Sequence, residues 1–410
     1  MNKTILSKQH RSPGKNEKTG ALQIPISRTL FGEKEFENIL KPLQSGWVVQ
    51  GPYVKEFEEK WCKFTGSSFS VATSNCTTAI HLVLSALNIG TGDEVIIPSF
   101  TWIATANAVE LTRATPVFCD IELDTFNIDN SKIKKLVTGK TKAIIPVHLF
   151  GMPAEIDEIN KIAANHNLYV IEDAACAFGT KYRGKHAGTF GTAGCFSFHP
   201  RKAITTGEGG MVTTGDKGLA FKLRSMRDHG SRISDYERDH GKKPYLLPDF
   251  PYCGYNYRMT DIQGAIGSSQ MDNAEEILNK RKKIARKYDE LFDSIEWLQR
   301  PQCKPENEHG YQAYVSLFQP EEVSIDNVNV INRKRNSFME YMQQNGISTR
   351  PGTHAVHRLD YYSKKYNFKP QSFPNSWIAD QCSISFPLYP TLSDEEFEYI
   401  ANKIRDYDLA

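Results

Sequence analysis

Seven short apolar runs, spaced by stretches of helical periodicity, constrain this 410-residue chain more than any other feature of its sequence. The strand candidates are 69–72, 94–97, 115–119, 143–147, 169–172, 194–198 and 210–213. Helix candidates lie among them at 54–64, 77–87, 101–111 and 155–166. Strands covered on both faces read as unbroken apolar runs, and helices between them serve as crossovers. The pattern predicts an α/β fold with a mainly parallel sheet flanked by helices on both faces. Ligands of such sheets bind at the carboxyl ends of the strands, so residues at strand ends are the first to weigh for chemistry.

Two of those ends stand out. The run Leu168-Tyr169-Val170-Ile171 closes on Glu172 and Asp173, followed by Ala174-Ala175. The run ending Ser197-Phe198-His199-Pro200-Arg201-Lys202 leads into Thr205-Thr206-Gly207-Glu208-Gly209-Gly210. The lysine precedes the glycines and no Gly-Lys-Ser/Thr ending follows, so the stretch is not a P-loop. A carboxylate and a lysine on neighbouring strand ends match the needs of pyridoxal phosphate. Lys202 forms an imine with the cofactor and later carries protons, while Asp173 keeps the ring nitrogen protonated so that the ring withdraws electrons. Glu172 reads as a support for the adjoining loop.

Two further stretches join them. Ser74-Asn75-Cys76-Thr77-Thr78 precedes apolar residues at 80, 83, 84 and 87, the pattern of a capped helix. Any capped helix would look so, but helix starts bind phosphate, and beside Lys202 and Asp173 this one reads as a phosphate cradle. Thr77 and Thr78 are its donors, with Ser197 added from the lysine strand. Trp102 follows the strand at 94–97. It either fills the core or stacks on a flat heterocycle, and stacking is the reading adopted.

With these residues in place, the chain resembles the DegT-type aminotransferases of nucleotide-linked keto sugars from about residue 24 to its end. The resemblance is carried by Ser45-Gly46-Trp47-Val48-Val49-Gln50-Gly51-Pro52, Glu172-Asp173-Ala174-Ala175 and the stretch from Ser197 to Gly210. Gly254-Tyr255-Asn256-Tyr257-Arg258-Met259-Thr260 and Ser385-Phe386-Pro387-Leu388-Tyr389-Pro390 complete it in the same order. It implies the aspartate-aminotransferase-like fold, type I of the pyridoxal-phosphate enzymes. A large cofactor-binding domain over 24–270 would precede a smaller α+β domain over 271–410. It further implies that Lys202 anchors the cofactor, Asp173 pairs with the ring nitrogen and Trp102 stacks on the ring. Asn256 would reach the phosphate of a partner subunit in a homodimer with shared active sites. Cys176 stands where many relatives carry Gln or His near the cofactor's phenolic oxygen, and a thiol is a weak hydrogen-bond partner. His199 and Glu208 flank the lysine as candidates for substrate contact, although His199 also suits a loop-orienting role.

The implied reaction passes an amino group from L-glutamate to a keto sugar on a nucleotide diphosphate. The Thr-Thr-Gly-Glu-Gly-Gly form of the motif resembles the branch acting on 4-keto-6-deoxy sugars. Lys202 argues against the branch that carries histidine there and deoxygenates the sugar. The product would enter surface polysaccharide such as O-antigen, or another glycan. Amination of a keto-cyclitol and a non-catalytic regulator of the same fold stand as alternatives.

Composition excludes other classes. A formal net charge of +2 gives no field for nucleic acid. No apolar run approaches the ~20 residues of a membrane span. Eight cysteines are scattered without a CxxC pair, which disfavours zinc or a disulfide framework and suits a reducing cytoplasm. Residues 1–23 are basic and poor in apolar side chains, the composition of a disordered tail. Glycines and prolines at 241, 244, 248 and 251 mark 228–255 as a loop, either one that closes over substrate or one without function. A charged helix with an apolar stripe is expected over 272–292. Arg350, His354 and His357 gather around Pro351-Gly352, where they either meet a diphosphate or are plain surface polarity.

Overall fold

The computed structural model describes residues 22–409, together with the backbone of Gly14 and Lys15. The tail expected over 1–23 lies almost wholly outside the described residues. All seven expected strands form: β1 (Phe69–Thr73), β2 (Glu94–Pro98), β3 (Thr115–Cys119), β4 (Thr141–Ile144), β5 (Tyr169–Asp173), β6 (Ala193–Ser197) and β7 (Gly210–Thr214). They make one sheet in the order β1-β7-β6-β5-β4-β2-β3. Every neighbouring pair is parallel except the two that involve β7.

The sheet is covered on both faces, and strand period two divides its side chains between the layers. Val71, Ile171, Cys195 and Val212 face the core beneath α3 (Cys76–Ala86), α4 (Ala104–Leu111) and α6 (Lys217–Met226). Their neighbours Ala72, Phe196 and Met211 face the core of α2 (Pro52–Thr65), and Val170 faces that of α5 (Ile156–His166). A smaller antiparallel sheet of β8 (Leu298–Gln299), β9 (Tyr314–Phe318) and β10 (Ser383–Phe386) follows. Helix α8 (Ala274–Phe292) ties the two parts together. Ala274, Ile277 and Leu278 pack under the large sheet, whereas Ile284, Tyr288, Leu291 and Phe292 enter the C-terminal core.

Three departures from expectation have physical causes. The helix expected from 101 starts at Ala104, because Phe100–Thr101 pair with His354–Ala355 in a short antiparallel ladder. Helix α7 (Asp261–Asp272) carries no apolar stripe, since it is built of small residues that let it lie against α2. A Cβ at Gly264 would stand 2.6 Å from Val54 N, and one at Gly267 would stand 2.6 Å from the Phe57 ring. The 228–255 stretch contains a short helix, Asp235–Asp239, and its Tyr236, with His240, packs edge-on against Trp47. Among the described residues no helix is long and apolar enough to cross a membrane.

Glu172, at the end of β5, supports the loop as expected. Its carboxylate accepts N–H bonds from Gly188, Phe190 and Gly191 at 2.7, 2.7 and 2.8 Å. His148 Nε2 donates to it at 2.9 Å, and His148 Nδ1 accepts from Ala154 N, which assigns the ring proton to Nε2. Burial pushes the Glu172 carboxyl up, but the His148 hydrogen bond and the loop N–H groups outweigh it, and the net shift is downward. Glu172→Gln is expected to lower stability by roughly 1–3 kcal/mol, the cost of leaving buried hydrogen-bonding groups unsatisfied. The wild-type contribution should be complete above the ordinary carboxylate pKa and lost only as pH falls through the lowered one. Melting curves of both proteins across acidic pH check this, and parallel curves with no gap between them would refute it.

Candidate active site

The carboxyl ends of β1, β5 and β6 and the start of antiparallel β7 meet at one edge, with Ser197 opposite Gly210 and Gly210 opposite Thr73. Gly210 is required there. A Cβ would stand 2.5 Å from the Asn75 carbonyl carbon and oxygen, where the chain turns into α3. Asn75 caps that helix by accepting from Thr78 N at 2.9 Å. The expected donor pair divides at this point. Thr78 Oγ1 gives its proton to the Asn75 carbonyl at 2.8 Å, whereas the Thr77 hydroxyl has no hydrogen-bond partner among the described residues.

Across the edge, Asp173 is buried. Its Oδ2 accepts from Thr105 Oγ1 at 2.7 Å and its Oδ1 from Ala175 N at 3.1 Å. Burial raises its pKa, and these bonds together with the Lys202 charge offset only part of the rise. Lys202 Nζ lies 3.1 Å from Cys176 Sγ. Burial alone would lower the Lys202 pKa. The Cys176 contact and the Asp173 charge turn the net shift upward, so the free amine is held as ammonium. The loop carrying it is clamped from three directions. Lys202 N donates to the His199 carbonyl at 2.8 Å, Gln312 Nε2 to that of Arg201 at 3.0 Å and Thr29 Oγ1 to that of Pro200 at 3.3 Å. A small cavity of about 10 Å³ beside the lysine is lined by Cys176, Ser197, Lys202 and Gln312 against Trp61 and Phe196.

Trp102 stands at this edge, 59% exposed, with His354 tilted against it at 5.8 Å. His354 is placed there by the ladder that pairs it with Thr101. His199 holds the lysine loop, its Nδ1 accepting from Arg201 N at 3.2 Å, which favours the orienting role. Glu208 is exposed, and its carbonyl accepts from Thr206 Oγ1 and Gln263 Nε2. Arg350 is exposed, bonding the neighbouring Thr349 carbonyl at 2.8 Å. Asn256 is also exposed, paired through backbone with Asp228 and outside the lysine cluster of its own chain.

His357 requires a correction. It is 0% exposed, bonded through Nδ1 to Ser99 Oγ at 2.6 Å and packed on Phe373, so no substrate can reach it. The turn Val356–Arg358 folds onto the core there, and burial pushes the ring down to about 4. Sequence reading also missed Thr105 and Gln312. Thr105 sits three residues beyond Trp102 in the first turn of α4, while nothing local to Gln312 signals its contact with the lysine loop.

The donor set fits pyridoxal phosphate. A lysine and a carboxylate face the same edge, an unpaired hydroxyl and open helix N–H groups are ready for the phosphate, and an indole face is uncovered. The sequence model of the DegT/DnrJ/EryC1/StrS aminotransferase family matches residues 30–405. The chain is 39% identical over 383 residues to an uncharacterized protein of Methanocaldococcus jannaschii, covering 93% of this chain and 97% of that one. It is 35% identical over 383 residues to the spore coat polysaccharide biosynthesis protein SpsC of Bacillus subtilis, covering 93% and 96%. Among solved structures it is similar to the PMP form of a Streptococcus pneumoniae protein described as a candidate sugar aminotransferase. That match has a TM-score of 0.85 at 28% identity and covers 93% of this chain and 98% of that one.

Because Lys202 is held as ammonium, cofactor-free protein should take up pyridoxal phosphate faster as pH rises from neutral into the alkaline range. Cys176→Ala removes an influence that raises the lysine pKa, so its uptake profile should move to lower pH. Stopped-flow absorbance measures both profiles, and superimposable curves would show that the sulfur does not hold the amine.

Proposed function

Given that this chain belongs to the DegT/DnrJ/EryC1/StrS aminotransferase family, we propose that it transfers an amino group from L-glutamate to a nucleotide-linked keto sugar. It is a pyridoxal-phosphate-dependent sugar aminotransferase. The donor, the nucleotide diphosphate and a 4-keto-6-deoxy acceptor are our reading of this site. The observation that carries it is the placing of Lys202 and Asp173 at one sheet edge, the lysine entering on a loop clamped from three directions. The relative's role in spore coat polysaccharide biosynthesis supports a product destined for surface polysaccharide.

When bound, pyridoxal phosphate supplies an electron sink and a carbonyl that accepts amines. The chain's residues do the rest. Thr77, Ser197 and the first N–H groups of α3 bind the phosphate. Asp173 holds a proton at the ring nitrogen. Trp102 covers one face of the ring and excludes water from it. Lys202 Nζ would anchor the cofactor and, as a free amine, would move a proton between substrate carbon and nitrogen. His354, Arg350 and Glu208 would line the approach for the sugar and its diphosphate, and Cys176, beside Lys202, would lie near the cofactor's phenolic oxygen. Asn256 serves the site of a second copy in a homodimer. Exposed Phe36, Leu40 and Leu43 of α1 (Glu33–Ser45), with Val48 and Val49 beyond it, supply an apolar face for that contact.

The test is spectroscopic. Loaded protein should lose its visible cofactor band on addition of glutamate and regain it with a nucleotide-linked 4-keto-6-deoxy sugar. Lys202→Ala should reduce turnover by roughly 10²–10⁴-fold, the scale of general acid–base catalysis. Unchanged turnover in that variant would remove the lysine from the chemistry. Bleaching only by another amino acid would overturn the donor, and recovery only with a keto-cyclitol would overturn the acceptor.

A further inference from the structure

The group that orients Asp173 lies outside every motif legible in the sequence. Thr105 is wholly buried in the first turn of α4, and its Oγ1 donates to Asp173 Oδ2 at 2.7 Å. Behind it, Thr101 Oγ1 stands 3.2 Å from Thr105 Oγ1 and is also buried. A hydroxyl has one proton to give. Thr105 spends its proton on the carboxylate, so Thr101 must be the donor between the two hydroxyls. The chain therefore runs one way, from Thr101 to Thr105 to Asp173, and it suits Asp173 only as an acceptor.

The start of the chain is fixed as well, because Thr101 pairs through its backbone with His354 of the C-terminal part. The titratable groups around Asp173 are Lys202, His148, Cys76 and Cys195. Both thiols are pushed well up by burial and stay protonated. Among the described hydrogen bonds, none of the four groups donates to the carboxylate through its side chain, and the Asp173 oxygens rely on Thr105 and Ala175 N.

We propose that Thr105, backed by Thr101, is a positioning residue that holds Asp173 as an ionised and oriented acceptor for the cofactor's ring nitrogen. The proposal rests on the reading of Asp173 as the partner of that nitrogen. A buried carboxylate without donors would favour its protonated form, and a protonated Asp173 cannot keep the ring nitrogen charged. The hydroxyl relay and the Ala175 N–H counter that tendency before any cofactor arrives.

Cofactor-free Thr105→Val protein, in which a methyl of similar size replaces the hydroxyl, would be titrated with pyridoxal phosphate carrying nitrogen-15 in its ring. Affinity should fall on the order of tenfold, the scale of losing one hydrogen bond to a charged group. The ring-nitrogen resonance should move toward its unprotonated position, and Thr105→Ser should restore both readings. Thr105→Ala carries the same expectation and serves if the valine variant does not fold. A valine or alanine variant with wild-type affinity and a protonated ring nitrogen overturns the proposal. So does a serine variant as impaired as the valine one, which would mark the methyl rather than the hydroxyl as the working group. An unprotonated ring nitrogen in the wild-type protein overturns the Asp173 assignment instead, so the two failures are distinct.

Discussion

Successive residues of a strand face opposite ways, and at the end of β5 that rule separates two adjacent carboxylates. Glu172 turns inward and meets three loop N–H groups and His148, while Asp173 turns toward the sheet edge and meets Thr105 and Ala175. Neither could remain buried and charged without those donors. Much of the remaining site hangs on the inward one. The loop that Glu172 fixes ends at Gly191, two residues before β6 begins at Ala193. Its position therefore helps set the register that puts Cys195 beside Asp173, and with it the direction from which Lys202 approaches.

The same edge depends on distant parts of the chain. Pairing of Phe100–Thr101 with His354–Ala355 brings a C-terminal histidine onto Trp102 and pins the threonine behind Thr105. Gln312 and Thr29 hold successive carbonyls of the lysine loop from two further directions. Arg281, buried on α8, donates to the Tyr311 and Gln312 carbonyls and so steadies the residue that clamps Arg201. Helix α8 runs from the core on the α2 side of the large sheet into the C-terminal core, so a shift of the C-terminal part would reach the lysine through this path.

These dependencies explain what the sequence could and could not disclose. The sheet was legible because its strands are buried on both faces and read as apolar runs; Asp173 stood out because it ends β5, and Lys202 because it lies between the end of β6 and a glycine cluster. Helix α7 was hidden because close packing on Phe57 and Val54 selects glycine and serine over an apolar stripe. Thr105 was hidden because a threonine in a first helical turn is unremarkable until its partner, 68 positions on, is known. His357 misled for the opposite reason. A histidine next to Pro-Gly and arginine looks like a ligand, and only the fold shows its ring turned onto Phe373 and Ser99.

The division of labour within β5 recurs at the start of α3. Adjacent helical residues differ by about 100° around the axis, and here that rotation sends Thr78 back to cap the helix while Thr77 keeps a free hydroxyl. A chain that satisfied every polar group internally would have nothing left with which to bind. This one leaves three groups open at the site edge: an unpartnered hydroxyl, an uncovered indole and an amine held as ammonium beside a weakly bonding thiol. Leaving them open costs stability in the free protein, and their rigid neighbours keep that cost from being raised again by disorder on binding. Fixed donors around Asp173 and a clamped lysine loop therefore do more for recognition than additional contacts from mobile side chains would.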